Sequence, residues 1–397
     1  MSTTGFALFG APPAFGLSLP VGQLYFPSWD RYQEAFRGIF ERQYYTEYGP
    51  LNQQLEQELR QFLGVKHAIC VTNETVGLMM LADALGLKGK VILPGFASAA
   101  SAQSLTWAGL APVFCDVDPG THQIAPDRIE ALIDKDVSAI MGVHLWGGAC
   151  DTKALAELAA AHGIQLYFDA AHAFGCAVDG VRIGNFGRAE VFSFHQANIL
   201  NAGEGGCICT NDDELAARLR TMRSTAGAGK PVEVTKTVNG RMSEAQSALA
   251  LMSLEDFPAN QKNNERLYRL YEAQLAAIPG LHLVRPSGVS YSNHQCVVCR
   301  VDEREFGMTR DLLSTLLNAE NVDVQRCFHP GLHRCIPYVQ EQPQYLERLP
   351  DTDQLGASCI QLPIGALVTS QSVESICNIL VSAHRASAGI RAKLASG

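Results

Sequence analysis

The amino-acid sequence predicts an α/β fold, in which a mostly parallel sheet is covered by helices and a smaller C-terminal α+β domain follows. Apolar strand-like runs recur through the middle of the chain, and helical stretches separate several of them. These runs are too apolar for strands with one face in water, which is typical of a parallel sheet covered on both faces. A length of 397 residues is enough for one large core and a second, smaller one.

The individual elements follow from the hydrophobic pattern. The strand-like runs cover residues 91–94, 112–117, 138–146, 165–169, 191–194 and 206–210, and the helical patterns cover 75–85, 153–162, 255–277 and 370–387. The strand-like runs shorten after the long helix, which places a predicted domain boundary near 256–262. We therefore expect a large α/β domain over residues 51–258 and a small α+β domain over 259–397, with residues 1–50 packing on the small domain.

Composition excludes several classes of protein. The net charge is −9, from 31 basic and 40 acidic side chains, so the chain offers no basic surface for nucleic acid. No apolar run approaches the length of a membrane span, and the first basic residue is Arg31, so the charged start of a secretion signal is missing. We expect a cytoplasmic protein that acts on a small molecule.

The twelve cysteines are scattered, which favours free, buried thiols over a disulfide framework. Cys327, His329, His333 and Cys335 could in principle supply four metal ligands. Closed zinc sites more often use tight pairs of cysteines on turns, so no metal site is predicted.

Two segments suggest a ligand site. The run 165–169 ends in Asp169, at the kind of sheet edge where α/β proteins bind ligands. A carboxylate there can pair with the pyridinium nitrogen of a pyridoxal cofactor, although an aspartate after a strand also commonly caps a helix. Residues 71–77 precede a helical stretch whose N–H groups could receive a phosphate or be capped by Thr72 or Asn73.

Several motifs coincide in order and spacing with those of one known family. They are Ser193-Phe194-His195-Gln196-Ala197-Asn198 before Gly203-Glu204-Gly205-Gly206, Thr75 in a phosphate-type loop, Asp169 with His172, Asn239-Gly240-Arg241-Met242, and Leu362-Pro363-Ile364. From about Tyr48 to Ile379 the chain resembles the sugar aminotransferases of the DegT/StrS type. These are fold type I enzymes that use pyridoxal phosphate (PLP), so the resemblance implies the same architecture.

The resemblance also implies a role for each matching residue. Thr75, the Val76 amide and Ser193 would hold the phosphate, Asp169 and His172 would contact the pyridine ring, Ser98 stands at the ring-stacking position, and Asn239 would reach the phosphate of the neighbouring subunit. Because the family builds its site at a dimer interface, we expect a homodimer. The substrate class implied is a keto-sugar, often nucleotide-linked, or a cyclitol ketone.

Three positions depart from the family's pattern. Asn198 replaces the cofactor-bearing lysine, Glu74 replaces the phosphate-loop glycine, and Ser98 replaces the stacking aromatic residue. A Schiff base needs a primary amine, and an asparagine amide is not nucleophilic. Glu74 would repel a phosphate unless it turned away or were protonated. Three losses together favour natural divergence over a single engineered change of lysine to asparagine.

These observations favour a biosynthetic enzyme that binds PLP or pyridoxamine phosphate (PMP) non-covalently and acts on a keto-sugar or cyclitol by a lysine-independent route. His195 is a candidate base, although lysine-bearing members frequently carry it too. The related sugar 3-dehydratases have histidine at the lysine position and bind the aminated cofactor without a covalent link. Three alternatives remain: a PLP-independent enzyme that reuses the pocket, a non-catalytic partner subunit, and an ordinary aminotransferase with an engineered change at Asn198.

Overall fold

The centre of the molecule is a large, mostly parallel sheet. The structure is a computed structural model that describes residues 5–46, 48–224 and 232–395. The sheet contains β1 (His67–Val71), β2 (Lys90–Pro94), β3 (Ala111–Cys115), β4 (Val137–Val143), β5 (Gln165–Asp169), β8 (Glu190–Ser193) and β9 (Gly206–Thr210), while β6 (Ala177–Val178) and β7 (Val181–Arg182) form a short hairpin. Its order is β1-β9-β8-β5-β4-β2-β3. Strand β9 is antiparallel to both neighbours and the other pairs are parallel, which confirms the predicted fold class.

Both faces of this sheet are buried, as the apolar runs predict. Ile69 and Val71 of β1 pack into one hydrophobic cluster, and Ala68 and Cys70 pack into another on the opposite face. Strand β1 is absent from the predicted strands, although its residues 68–71 are as apolar as the short runs that were recognised. It nevertheless leads directly into the helix that borders the candidate site.

Thirteen α-helices lie within the described residues. They are α1 (Trp29–Arg42), α2 (Pro50–Leu63), α3 (Glu74–Ala84), α4 (Ala99–Trp107), α5 (Pro126–Ile129), α6 (Thr152–His162), α7 (Asp213–Arg223), α8 (Glu244–Leu275), α9 (Glu303–Phe306), α10 (Arg310–Ala319), α11 (Tyr338–Glu341), α12 (Pro350–Ser358) and α13 (Ser370–Ala395). No helix within the described residues is both long and apolar enough to cross a membrane.

The long helix α8 starts at Glu244, well before residue 255 where the helical pattern becomes clear. Its start is fixed by a capping box, in which the Ser243 hydroxyl accepts from the Gln246 N–H and the Gln246 side chain accepts from the Ser243 N–H. The predicted domain boundary at 256–262 lies inside this helix. Phe257 packs in a cluster of the large sheet, whereas Tyr271 packs in the second core.

The second core lies on a three-stranded antiparallel sheet of β10 (Leu281–Leu283), β11 (Val297–Val301) and β12 (Cys359–Leu362). Phe6 and Leu19 from the N-terminal segment are buried in the same cluster. The segment is also tied down by backbone pairing of Leu19 with Val322. These contacts place the first part of the N-terminal segment on this core, whereas Ile39 of α1 packs with Ala248 and Met252 of α8, so the predicted division into domains stays a prediction.

Candidate functional site

The predicted site residues meet where neighbouring strands of the large sheet end. Asp169 is the last residue of β5 and Ser193 is the last residue of β8, and these two strands are adjacent and parallel. Strand β1 runs in the same direction as β8, because β9 is antiparallel to both, so α3 begins at the same edge. Thr75 therefore lies in the first turn of α3 at the edge that carries Asp169 and Ser193.

Asp169 is held rigidly by two donors. Its side chain is only 2% exposed. Oδ2 accepts from the Ser101 hydroxyl at 2.6 Å, and Oδ1 accepts from the Ala171 N–H at 3.1 Å. No α-helix begins after Asp169, since the chain makes turns until β6, so the helix-cap alternative does not apply. The carboxylate is instead buried at the sheet edge in a fixed orientation.

Glu74 points into the site rather than away from it. Its carboxyl group lies close enough to the side chains of Asp169 and Ser193 for hydrogen bonds with both to affect its pKa. Burial raises the pKa of Glu74 well above its ordinary value, the charge of Asp169 and a hydrogen bond to it raise it further, and a hydrogen bond from Ser193 opposes the rise. A raised pKa favours the protonated form of Glu74, which can donate a hydrogen bond to the Asp169 carboxylate.

The start of α3 is capped from within the chain. Asn73 Oδ1 accepts from the Val76 N–H at 2.9 Å, as one of the two predicted caps would do. The Val76 amide, which the resemblance assigns to a phosphate, is thus engaged with Asn73. Thr75 remains partly exposed in the same turn.

His172 has one ring nitrogen to spare. Its Nδ1 is buried and has no hydrogen-bond partner among the described residues. The ring stacks on Trp146 with centroids 5.2 Å apart, and Trp146 in turn stacks on Phe328 at 5.2 Å. Burial lowers the pKa of His172, so the imidazole is neutral near pH 7. A neutral ring with an unpartnered nitrogen is suited to a hydrogen bond with a ligand.

Ser98 has a structural role at the predicted stacking position. It is the N-cap residue of α4, and its hydroxyl accepts from the Ala100 N–H at 3.3 Å. Phe96, two residues earlier, is fully buried with its ring against the edges of other aromatic rings. It is not accessible as a replacement stacking face.

Both polar atoms of the Asn198 side-chain amide hydrogen-bond within the protein. The residue is 7% exposed. Its Nδ2 donates to the Ser193 carbonyl at 3.1 Å, and its Oδ1 accepts from Gln295 Nε2 at 3.1 Å. His195 is not part of this network through its side chain. Its Nδ1 accepts from the Ala197 N–H, its Nε2 lies 3.8 Å from the Glu204 carboxylate, and its side chain is 45% exposed.

Asn239 lies on an exposed loop beside the site. Its Oδ1 accepts from Arg241 Nε at 2.9 Å. The loop is anchored because the Thr72 N–H donates to the Gly240 carbonyl at 2.8 Å. Lys236, a conceivable substitute for the lysine, is exposed and bonds to Asp83 at 2.7 Å, and Lys230 lies outside the described residues.

Comparison with known proteins agrees with this geometry. A model of the DegT/DnrJ/EryC1/StrS aminotransferase family matches residues 29–381. The chain belongs to this family. A dTDP-4-amino-4,6-dideoxy-D-glucose transaminase of Shigella dysenteriae is 32% identical over 344 residues, which are 86% of this chain and 92% of that protein. A GDP-perosamine synthase of Caulobacter vibrioides is 32% identical over 81% of this chain and 87% of its own length.

Solved structures of family members share the fold. A crystal structure of DesI, determined in the presence of its TDP-sugar product, superimposes with a TM-score of 0.91 at 37% identity and covers 100% of both chains. The structure of S. venezuelae DesV in complex with a ketimine intermediate gives a TM-score of 0.83 at 26% identity, over 93% of this chain and 99% of that one. The predicted family and its α/β architecture are thereby confirmed.

Sequence reasoning missed two groups that support the site of this family member. Gln295, which holds Asn198, carries no motif and is 97 residues away in sequence. His144 is joined to Asp169 through the main chain, because the backbone N–H of His144 donates to the Asp169 carbonyl at 2.9 Å. The His144 ring accepts from the Cys150 N–H at Nδ1, so its proton is on Nε2 and is donated to Glu190 at 3.0 Å. The sequence signal available for this pair was a histidine directly after one apolar strand and a glutamate at the start of another.

The possible metal ligands do not converge. Each of the four side chains contacts a different group: Cys327 the Gln325 carbonyl, His329 the Gly356 carbonyl, His333 the Asp353 carboxylate, and Cys335 the Gly331 carbonyl. All twelve cysteines are free. Within the described ranges, the one group of side chains close enough to share an ion is His282, Asp302 and Glu305, which are all exposed.

We expect Glu74→Gln to flatten the pH dependence of stability. The folded-state pKa of Glu74 is raised by burial and by Asp169, so the folded chain keeps a proton that the unfolded chain has released. The free energy of unfolding should therefore fall as the pH rises from the unfolded pKa toward the folded one, and glutamine does not titrate. Urea unfolding between about pH 4 and pH 9 measures this difference.

The exposed carboxylate of Glu157 on α6 provides the matched control for this experiment. Glu157→Gln should leave the pH profile of stability as it is in the unchanged chain. Parallel profiles for the unchanged chain and for Glu74→Gln would contradict the assignment of a buried, protonated Glu74.

Proposed function

We propose that this chain is a biosynthetic enzyme that acts on a keto-sugar, or on a related cyclitol ketone, and binds PLP or PMP without a covalent link. The observation that carries this proposal is that both polar atoms of the Asn198 side-chain amide hydrogen-bond to the protein, while the Asp169 carboxylate lies at the sheet edge. A lysine-independent route follows, because no amine is present at position 198. The named relatives act on dTDP- and GDP-linked sugars, which supports a nucleotide-linked substrate.

The residues of the site fit a pyridoxal cofactor at several points. Asp169 is available for the pyridine nitrogen, Ser193 and Thr75 provide hydroxyls for the phosphate near the start of α3, and the buried Nδ1 of His172 lacks a protein partner. Glu74 fits only if it gives up its bonds to Asp169 and Ser193.

When bound, the cofactor supplies an electron-accepting ring. The chain's own contribution is to keep a proton at the ring nitrogen through Asp169, which Ser101 and the Ala171 N–H hold in place. His195 remains the proposed proton-transfer group, since its imidazole is partly exposed and unencumbered at Nε2 except by Glu204. Asn239 is proposed to complete the phosphate site of a second subunit in a homodimer.

We expect purified protein to shift the absorbance of PLP or PMP on titration, and Asp169→Ala to weaken this binding. Loss of a charge-assisted hydrogen bond costs about 1.5–3 kcal/mol, which corresponds to roughly a ten- to hundredfold higher Kd. Asp179→Ala, at an exposed aspartate in the β6–β7 turn, is the control and should bind as the unchanged chain does. Failure to bind either cofactor form at millimolar concentration would refute the proposal.

A second candidate function is favoured by Glu74. Its carboxyl group contacts Asp169, the proposed partner of the pyridine nitrogen, and Ser193, a proposed phosphate contact. Glu74 therefore occupies the space between these two side chains. In this candidate the pocket serves a PLP-independent reaction on a different ligand. The carboxyl groups of Glu74 and Asp169 would then be the reactive groups of the pocket.

Glu74→Gly distinguishes the two candidates. If Glu74 merely competes with the cofactor, removing its side chain should lower the Kd for PLP and PMP by roughly tenfold or more, because a ligand no longer has to displace two hydrogen bonds. Glu74→Gln keeps the bulk and should improve binding less. If both variants are folded and neither binds PLP or PMP, the PLP-independent candidate is favoured.

A further inference from the structure

The side chain of Gln295 hydrogen-bonds to the side chain at position 198. Gln295 lies just before β11 and is 2% exposed. Its backbone is fixed on both sides, because its N–H donates to Asn293 Oδ1 at 3.0 Å and its carbonyl accepts from Gln23 Nε2 at 3.0 Å. The Gln295 side chain therefore leaves a rigid point of the chain.

The orientation of the Gln295 amide is also fixed. Its Oε1 accepts from the Ile199 N–H at 3.2 Å, so its Nε2 must face the next residue toward the site, Asn198. Rotating the amide by half a turn would set its NH₂ group against the Ile199 N–H and its oxygen against Asn198 Oδ1. Each of these contacts pairs like with like, so only one orientation is satisfied.

The hydrogen bonds consequently run in one direction through position 198. The Ile199 N–H donates to Gln295, Gln295 donates to Asn198, and Asn198 donates to the Ser193 carbonyl. The side chain at 198 must accept one hydrogen bond and donate another at short range. An amide does both, whereas a lysine ammonium has donors only and lysine methylenes have neither.

The same turn is braced by the N-terminal segment. The Gln23 N–H donates to the Ala197 carbonyl at 3.1 Å, and Gln23 Oε1 accepts from Asn264 Nδ2 of α8 at 2.9 Å. Gln23, Asn264 and Gln295 are all buried and uncharged. The surroundings of Asn198 are thus a connected set of amides from three parts of the chain.

We propose that Gln295 is a specificity-determining residue that requires a hydrogen-bond acceptor at position 198 and thereby excludes a cofactor-bearing lysine there. The inference rests on the proposed lysine-independent function and deepens it: the loss of lysine is a property of the Asn198–Gln295 pair and not of one substitution. Restoring lysine alone leaves the Gln295 Nε2 donor buried without a partner, which is unfavourable.

The first test uses PLP as the probe in a Glu74→Gly background, so that Glu74 does not limit access. Asn198→Lys is compared with Asn198→Lys combined with Gln295→Glu, which keeps the acceptor for the Ile199 N–H and replaces the amide donor by an oxygen. The measurement is the fraction of the peptide containing position 198 that carries reduced PLP after borohydride treatment. Because a carboxylate at position 295 favours the charged ammonium at position 198, labelling is carried out at about pH 9, and we expect several-fold more labelling in the variant with Gln295→Glu.

Gln261→Glu is the matched control for the second substitution. Gln261 is also a buried glutamine nearby, but its Nε2 donates to the Ser292 carbonyl and it does not contact position 198. It should not increase labelling of Asn198→Lys. Equal labelling with and without Gln295→Glu would overturn the proposal.

The second test needs no cofactor and is a double-mutant cycle on thermal unfolding. Asn198→Lys should lower Tm, and the loss should be at least halved when Gln295→Glu is present. If Asn198→Lys alone does not fold, recovery of folded protein by Gln295→Glu supports the proposal, and no recovery overturns it, as does an equal loss in both backgrounds. If the unchanged chain binds no PLP or PMP, the proposed function fails while this cycle still decides the role of Gln295.

Discussion

The site is organised around the buried carboxylate of Asp169, because a charge removed from water must be compensated where it lies. Asp169 forms no ion pair with any described residue, and its compensation comes from the Ser101 hydroxyl, the Ala171 N–H and the Glu74 carboxyl. The proton on Glu74 does for Asp169 what a pyridinium N–H would do in a cofactor complex. The survival of Asp169 in the chain is therefore compatible both with a bound cofactor and with a pocket that supplies its own donor.

The three departures from the family pattern share one physical character. Glu74 satisfies Asp169 and Ser193, Asn198 satisfies Gln295 and the Ser193 carbonyl, and Ser98 caps α4. In each case the residue that departs from the pattern implied by the resemblance hydrogen-bonds within the protein. Buried polar groups that are fully paired add stability, whereas unpaired ones cost free energy. Among the described residues near Asp169, the Tyr167 hydroxyl and Nδ1 of His172 are the buried polar atoms left without a protein partner.

The sequence predicted most of the fold because the relevant signals are local. Strand-like runs and capping residues are readable within a few positions, and the strand-end positions of Asp169 and Ser193 follow from them. Strand β1 was missed although its apolar run was available, and α8 starts early because the signal is the capping box at Ser243 rather than periodicity. The reversal of β9 cannot be seen in an apolar run at all.

The chemistry of the site was less predictable, for a different reason. The pattern located Glu74 and Asn198, but whether Glu74 turns toward Asp169 depends on the packing of α3 against β8 and β9, where Gly206 lets the backbone of Asn73 and Glu74 approach closely. The partner of Asn198 is set by a contact between residues 97 positions apart. Such contacts depend on tertiary structure and leave no short motif in a single sequence.

Glu74 and Asn198, at the centre of the site, differ in how firmly their contacts are fixed. The contacts of Glu74 with Asp169 depend on a proton, because two charged carboxylates would repel each other, so these contacts are conditional on pH. Asn198 is fixed by a directional chain of hydrogen bonds that begins at the Ile199 backbone and ends at the Ser193 backbone. A change of pH therefore acts on the contacts of Glu74 but not on those of Asn198, because an amide does not titrate. Under the proposed function, the absence of an amine at position 198 is set by the fold, whereas the contacts of Glu74 respond to its protonation.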